Sequence, residues 1–390
     1  MRFAFTAEDE RFRAAVQQFL ADELPPDWTS GEDGGGGRLE FARAFQKKLA
    51  RKGWLVVAWP KEYGGQEWPI WRQMIFNEEM GYAGAPRANP ASVALAGSII
   101  IAHGTDEQKR RHLPPIANAE VQWCQLFSEP NAGSDLASLE SSAVDEGDYF
   151  VLNGSKVWNT GAEEADWGIL LARTNPDVPK HKGISYFLLD MHSPGVIVRP
   201  LDTMAGDARF CQVYFDNVRI PRDCLVGQQD RGWYLGASTL DTERSAISNA
   251  AGSKRMVEQL LAFAREANGN APTRRGPIIR HTLAQLEIDV EVARMLSYRV
   301  AWMQSAGLTF SHEASITKLY TYELAQRIAR TGMELMGLYG QIESGSRWAP
   351  LKGKVERIYL NTVASTIGGG TSEIQRNTIA GRGLGMGKAT

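Results

Sequence analysis

The sequence predicts an α+β multidomain protein. An N-terminal α-helical domain is expected over residues 1–120, a middle β domain over 121–230 and a C-terminal α-helical domain over 231–390. Two observations lead there. The chain has 390 residues, which at about 150 per domain suffices for two to three. Its hydrophobic period is helical in the first third, changes to two near Val121 and turns helical again after Gly232, as expected when strands are set between helices. No internal repeat interrupts this order.

The first helix is signalled by Thr6-Ala7-Glu8-Asp9, a capping-box pattern, with Phe12, Val16, Phe19 and Leu20 on one face. Pro25-Pro26 closes it. The glycine-rich run at 31–37 reads as a loop, because a phosphate-cradling glycine loop needs a strand before it and none precedes this one. In the middle, Tyr149-Phe150-Val151-Leu152, then Asn153-Gly154, then Ser155-Lys156-Val157-Trp158 predict a hairpin that turns at Asn-Gly. Residues 167–173 and 183–190 read as two further strands around Asn175-Pro176-Asp177, and 211–218 continue the β pattern up to Pro221. Beyond them Ile288, Val292, Met295, Leu296, Val300 and Met303 form an apolar helical stripe, expected to serve core or subunit packing.

Composition removes several function classes. Lys+Arg 43 against Asp+Glu 45 leaves a net charge of −2, without the basic excess of a nucleic-acid binder. Three cysteines with no CxxC pair point to a reducing compartment rather than a disulfide framework. Six histidines without HExxH or close His/Cys spacing argue against a metal site. The longest apolar stretch, 91–102, is too short to span a bilayer, and the N-terminus lacks a signal-peptide core. A soluble protein is expected, cytoplasmic or matrix-like after loss of a presequence. Weak motifs also fall away. Ser315-Ile316-Thr317-Lys318 matches SxxK without its partner motifs. Gly383-Leu384-Gly385-Met386-Gly387 has no βαβ unit around it.

Four segments remain that can carry chemistry. Ser128-Glu129-Pro130-Asn131-Ala132-Gly133-Ser134-Asp135 combines hydroxyl donors with a glycine that lets backbone approach a ligand. Trp158-Asn159-Thr160-Gly161 ends a strand in an aromatic and a hydroxyl. Leu240-Asp241-Thr242-Glu243-Arg244 sets acids and a base on an expected helix. Ile367-Gly368-Gly369-Gly370-Thr371-Ser372-Glu373-Ile374-Gln375-Arg376 places three glycines before a Thr N-cap, a helix start suited to an oxyanion or phosphate. Each alone could equally be an ordinary turn, strand end or cap.

In this order within an α–β–α chain, the segments resemble the acyl-CoA dehydrogenase family of flavoproteins over nearly the whole length. The resemblance implies FAD as cofactor, a β-barrel or sandwich as middle domain and a four-helix bundle as C-terminal domain. Gln125, Phe127, Ser128, Gly133 and Ser134 would lie along the flavin ring and ribityl chain. Trp158 and Thr160 would line the isoalloxazine, with Thr160 at its N5 edge. Glu334, Gly337 and Leu338 would meet the FAD of a neighbouring subunit, and Thr371 and Glu373 would complete the cofactor site. Ser134, Asp241, Arg244 and Gly370 match positions beside the acyl-CoA.

The implied reaction is α,β-desaturation of an acyl-CoA thioester, in which a carboxylate removes the α proton and the β hydrogen leaves as hydride to the flavin. Most of the family carries that carboxylate immediately before Gly-Thr, where this chain has Gly369. The backbone N–H at Gly369, the family's donor to the thioester carbonyl, survives the exchange. A minority, including isovaleryl-CoA and long-chain acyl-CoA dehydrogenases, takes its base from a helix position matching Glu243. The missing side chain at 369 opens room for branched, cyclic or bulky acyl groups. Near Arg274-Arg275-Gly276-Pro277 the family's Arg-x-x-Phe-Gly lacks its Phe, so no cofactor role carries over. Electron-transfer flavoprotein is the implied acceptor and a tetramer the implied assembly, homomeric or heteromeric. A catalytically quiet subunit of a heteromeric dehydrogenase and a flavin oxidase or monooxygenase remain as alternatives.

Overall fold

The structure is a computed structural model that describes residues 5–25, 28, 36–86, 89–206, 210–239, 245–268 and 276–387. Five helices come first: α1 (Ala7–Glu23), α2 (Gly36–Arg51), α3 (Ile70–Ala83), α4 (Ser98–His103) and α5 (Asp106–Ala117). Strands follow as β1 (Trp123–Leu126), β2 (Ser142–Asp145), β3 (Tyr149–Thr160), β4 (Trp167–Arg173), β5 (Ile184–Asp190), β6 (Val196–Leu201), β7 (Phe210–Pro221) and β8 (Leu225–Val226). The remainder is helical: α6 (Gly232–Thr239), α7 (Ile247–Asn268), α8 (Gly276–Ser305), α9 (Ser311–Met336), α10 (Lys354–Ser365) and α11 (Ser372–Thr378). Two compact units result. Residues 1–39, 68–86 and 244–390 form a helical unit, and 40–67 with 87–243 form a β unit. No described helix is long and apolar enough to cross a membrane.

The β unit is built on one sheet in the order β6-β7-β3-β2-β4-β5-β8, with β1 pairing in parallel beside β4. Ile169, Leu170, Leu171 and Ala172 of β4 and Tyr186, Phe187, Leu188 and Leu189 of β5 are all buried, the continuous apolar runs of strands covered on both faces. The expected hairpin at Asn153-Gly154 does not form. β3 runs unbroken for 12 residues, and its register against β7 slips between Leu152 and Gly154. The irregularity lies opposite, in β7, where three steps from Phe215 to Val218 face two of β3, and Ser141 approaches so closely that a Cβ on Gly154 (φ 136°) would lie 2.6 Å from its Oγ. The reversal comes one strand earlier, between β2 and β3, where Asp145 Oδ1 accepts from the Gly147 N–H at 2.9 Å.

The helical unit begins as its sequence predicts. Thr6 caps α1, its hydroxyl oxygen accepting from the Asp9 N–H while Asp9 Oδ2 accepts from the Thr6 N–H at 2.9 Å. Val16 and Leu20 are buried on its apolar face. A buried carboxylate, Glu78 on α3, joins three helices: it accepts from Arg13 of α1 at 2.9 Å, and from Arg294 at 2.7 Å and Tyr298 at 3.0 Å on α8. Burial alone would raise its pKa, but the two guanidinium groups hold it below the ordinary carboxylate range. Val257, Leu260, Leu286, Val290, Leu324, Ile328 and Val355 fill the core between α7, α8, α9 and α10. The α8 stripe divides. Val300 and Met303 are buried, whereas Ile288, Val292 and Met295 stay exposed.

Candidate functional site

In the β unit, hydrogen bonds draw two of the four segments together. The Val157 N–H donates to the Ser128 carbonyl at 2.9 Å, and Asn159 Nδ2 donates to the Gln125 carbonyl at 2.7 Å. The loop from Ser128 is tightened by reciprocal backbone bonds between Glu129 and Ala132. Beneath it lies a buried ion pair. Lys156 Nζ reaches Glu129 Oε1 at 2.7 Å and the Phe127 carbonyl at 3.1 Å, and Glu129 also accepts the N–H groups of Glu140 and Ser141 at 2.7 and 2.9 Å. Complete burial pulls the Lys156 ammonium down to about 8, against the pull of Glu129. Burial likewise opposes ionisation of Glu129, but Lys156 and the backbone donors outweigh it and keep the carboxylate below its ordinary value. The Phe127 ring is buried against Tyr186, so this residue offers only its backbone to a ligand.

The surface above is unusual for a strand end. Between Lys156 and Asn159 three steps of β3 face two of β7, a second bulge. It sets Trp158 at φ 63°, a region costly for a residue with a Cβ. The ring is 61% exposed, touching Phe210 edge-on at 6.0 Å. Thr160 points out on the same side, two residues on, while Asn159 is buried between them. Gly133 and Ser134 are exposed, and nothing lies within 4 Å of a Cβ built on Gly133. An exposed aromatic held in a strained backbone conformation makes this strand end a candidate binding surface.

In the helical unit the triple-glycine turn leads into α11. Gly369 sits at φ 66° and Gly370 at φ 93°, the left-handed region that favours glycine. Thr371 is the N-cap, its oxygen accepting from the Ile374 N–H at 3.2 Å, and Glu373 is exposed in the first turn. Among the described residues no acceptor meets the Gly369 N–H. Lys318 of α9 donates to the Gly368 carbonyl at 2.6 Å and to that of Gly370. At the end of α9, Glu334, Gly337 and Leu338 are exposed together, Leu338 at 82%. Asp241, Glu243 and Arg244 lie outside the described residues, as do Arg274 and Arg275 and residues 31–35 of the glycine-rich run; its last two glycines, Gly36 and Gly37, are not loop but open α2.

Three family descriptions match in order: acyl-CoA dehydrogenase N-terminal domain over residues 6–120, middle domain over 124–218 and C-terminal domain over 230–384. Acyl-CoA dehydrogenase IpdE1 of Mycobacterium tuberculosis is 35% identical over 97% of this chain and 97% of that protein. The chain belongs to the acyl-CoA dehydrogenase family. Among solved structures, one described as Tcur3481-Tcur3483 steroid ACAD is similar at TM-score 0.90 and 33% identity, with both chains fully covered. The ChsE4-ChsE5 complex from Mycobacterium tuberculosis is similar at TM-score 0.85 and 34% identity, also over 100% of each chain. This member of the family is therefore an oxidoreductase of acyl-CoA thioesters, with a helical N-terminal, a β-sheet middle and a helical C-terminal domain in chain order.

The family is FAD-dependent, and the β unit fits that group. A flavin is planar and heteroaromatic with polar edges, and this unit offers an exposed indole at Trp158, the exposed Thr160 and Ser134 residues with their hydroxyls, and the open backbone of Gly133. Sequence patterns missed the residues that shape this surface. Lys156 and Asn159 look like ordinary strand positions, and only their burial in β3, at 0 and 2% exposure, reveals that they hold the Gln125–Glu129 backbone.

Proposed function

We propose that the chain binds FAD through Gln125, Ser128, Gly133, Ser134, Trp158 and Thr160, and desaturates a ring-bearing or otherwise bulky acyl-CoA between its α and β carbons. When bound, FAD supplies a two-electron oxidant that takes the β hydrogen as hydride. Trp158 offers its exposed face for stacking, and the Thr160 hydroxyl is a donor for the ring edge. The Gly369 N–H, open at a left-handed turn, donates to the thioester oxygen and stabilises the negative charge that develops there. Glu243 removes the α proton, since position 369 carries no carboxylate. Phe127 takes part through its carbonyl and N–H. Thr371 and Glu373, with Glu334, Gly337 and Leu338 across a subunit boundary, complete the cofactor site, and Asp241, Arg244 and Gly370 meet the acyl-CoA.

The glycine at 369, in a conformation where a glutamate would be strained, is the observation that carries this reading. The bulky substrate class is supported by that missing side chain and by similarity to a structure described as a steroid ACAD. Glu243→Gln is expected to retain FAD while losing flavin bleaching by acyl-CoA by at least about 10³-fold. Full activity in that variant would sink the base assignment. A panel of straight, branched and ring-bearing acyl-CoAs tests the substrate class, and a preference for short straight chains would refute it.

Electron-transfer flavoprotein is the proposed acceptor, in a cytoplasmic tetramer with domain limits near residues 120 and 230. Exposed Ile288, Val292 and Met295 on α8 and Leu338 beyond α9 suit subunit packing. Heteromeric assembly is a second reading, favoured by likeness to structures whose descriptions name two chains. Purifying the chain alone and measuring its FAD stoichiometry and mass separates the two.

A further inference from the structure

We propose that Lys318 is a positioning residue for thioester activation: bound to the Gly368 and Gly370 carbonyls, it locks the turn and polarises the peptide whose N–H meets the thioester oxygen. The inference rests on the reading that Gly369 is that donor. The carbonyl of Gly368 and the N–H of Gly369 belong to one peptide group. A cation on the oxygen draws electron density through the amide and makes its N–H a stronger donor. Lys318 Nζ stands 2.6 Å from that oxygen and also binds the carbonyl of Gly370, so it spans the glycine between them. Built onto Gly369, a Cβ would lie 3.5 Å from the same ammonium.

The surroundings fix the clamp. Tyr322, one turn along α9, places its ring centroid 5.5 Å from Nζ, and Arg376 of α11 pairs with Glu323 of α9 at 2.8 Å. Gln375 Nε2 approaches the Gly369 and Gly370 carbonyls at 3.3 and 3.2 Å, as a neutral donor that does not reach Gly368. Lys318 ends the SxxK pattern, whose other hydroxyls are turned inward. Ser315 donates to the Ser311 carbonyl at 3.3 Å and Thr317 to that of Glu313 at 2.8 Å. A cation so placed stabilises a forming enolate more than the neutral thioester, so its effect belongs to the rate of α-proton removal rather than to ligand binding.

The test is anaerobic rapid-mixing of the full FAD-loaded chain and its variants with the member of a straight, branched and ring-bearing acyl-CoA panel that bleaches the parent fastest. Lys318→Met should lower the limiting rate of flavin reduction about ten- to thirty-fold, a fraction of the loss on deleting a direct oxyanion donor. Its FAD content and half-saturating ligand concentration should stay within about twofold of the parent. Lys318→Arg should recover most of the rate, and Gln375→Leu should lose less than Lys318→Met. A Lys318→Met rate within about twofold of the parent, no rescue by Arg, or a larger loss in Gln375→Leu overturns the proposal. Lost FAD content with no rescue by Arg marks a merely structural lysine and overturns it too. A parent that holds FAD but is bleached by no acyl-CoA of the panel removes the reading beneath and the inference with it.

Discussion

Lys156 in the β unit and Lys318 in the helical unit both hold backbone carbonyls of a candidate site segment, but in opposite surroundings. Lys156 is wholly buried and pairs with Glu129 at 2.7 Å while donating to the Phe127 carbonyl. Lys318 is half-buried on α9 and donates to two glycine carbonyls of an exposed turn. A charge taken out of water needs a fixed counter-charge, and breaking such a pair strands the survivor. A part-exposed ammonium keeps much of its hydration, so its loss disturbs folding little. The difference separates a lysine that preserves shape from one whose effect falls on chemistry.

The comparison breaks most directly at Glu129. Glu129→Gln leaves Lys156 buried without its carboxylate and should cost about 3–5 kcal/mol in urea unfolding; a change under about 1 kcal/mol would refute the view of Lys156 as a shape-keeping charge. Adding Lys156→Met should recover part of that loss, with a coupling above about 1 kcal/mol in a double-mutant cycle. Lys318→Met should change unfolding free energy by no more than about 1 kcal/mol, although its catalytic effect is large.

Trp158 sharpens the contrast from the ligand side. Trp158→Gly relieves about 1–2 kcal/mol of left-handed strain and gives up the edge contact with Phe210. The apo-chain should stay within about 1 kcal/mol of the parent, while FAD retention on gel filtration drops. A variant that is strongly destabilised would assign Trp158 to folding instead. The smallest expected effect is in acid. The Glu129 pKa is depressed in the folded chain, so its stabilising share is complete above the ordinary value of 4.5 and fades as pH falls through the folded value. Thermal midpoints of the parent should therefore fall more steeply below pH 4.5 than those of Glu129→Gln.

Local rules read much of this molecule correctly. The Thr6 cap forms, and β4 and β5 lie within a residue of their apolar runs. The Asn153-Gly154 turn failed because the dipeptide's preference is local, whereas the pairing with β2 and β7 that carries β3 straight through it is set by strands elsewhere in the chain. The α8 stripe split for a similar reason. Periodicity shows that Ile288, Val292 and Met295 share a face, but which face meets the core depends on α7 and α9. Of the candidate site residues, Trp158, Thr160, Ser134 and Gly369 were legible as residue types, whereas the left-handed backbone at Trp158 was not.

The sequence by itself determined the α–β–α order, the cap of α1, the apolar strands and the family segments, including glycine at 369 with glutamate at 243. These follow from neighbours within a turn or a strand, where periodicity and capping act. Tertiary structure alone decided that Lys156 would be buried on Glu129, 27 residues away, and that Lys318 would grip carbonyls 50 and 52 residues beyond it. Hydrogen bonds over such separations depend on which faces pack together, and a one-dimensional pattern of apolar and polar residues does not encode that choice.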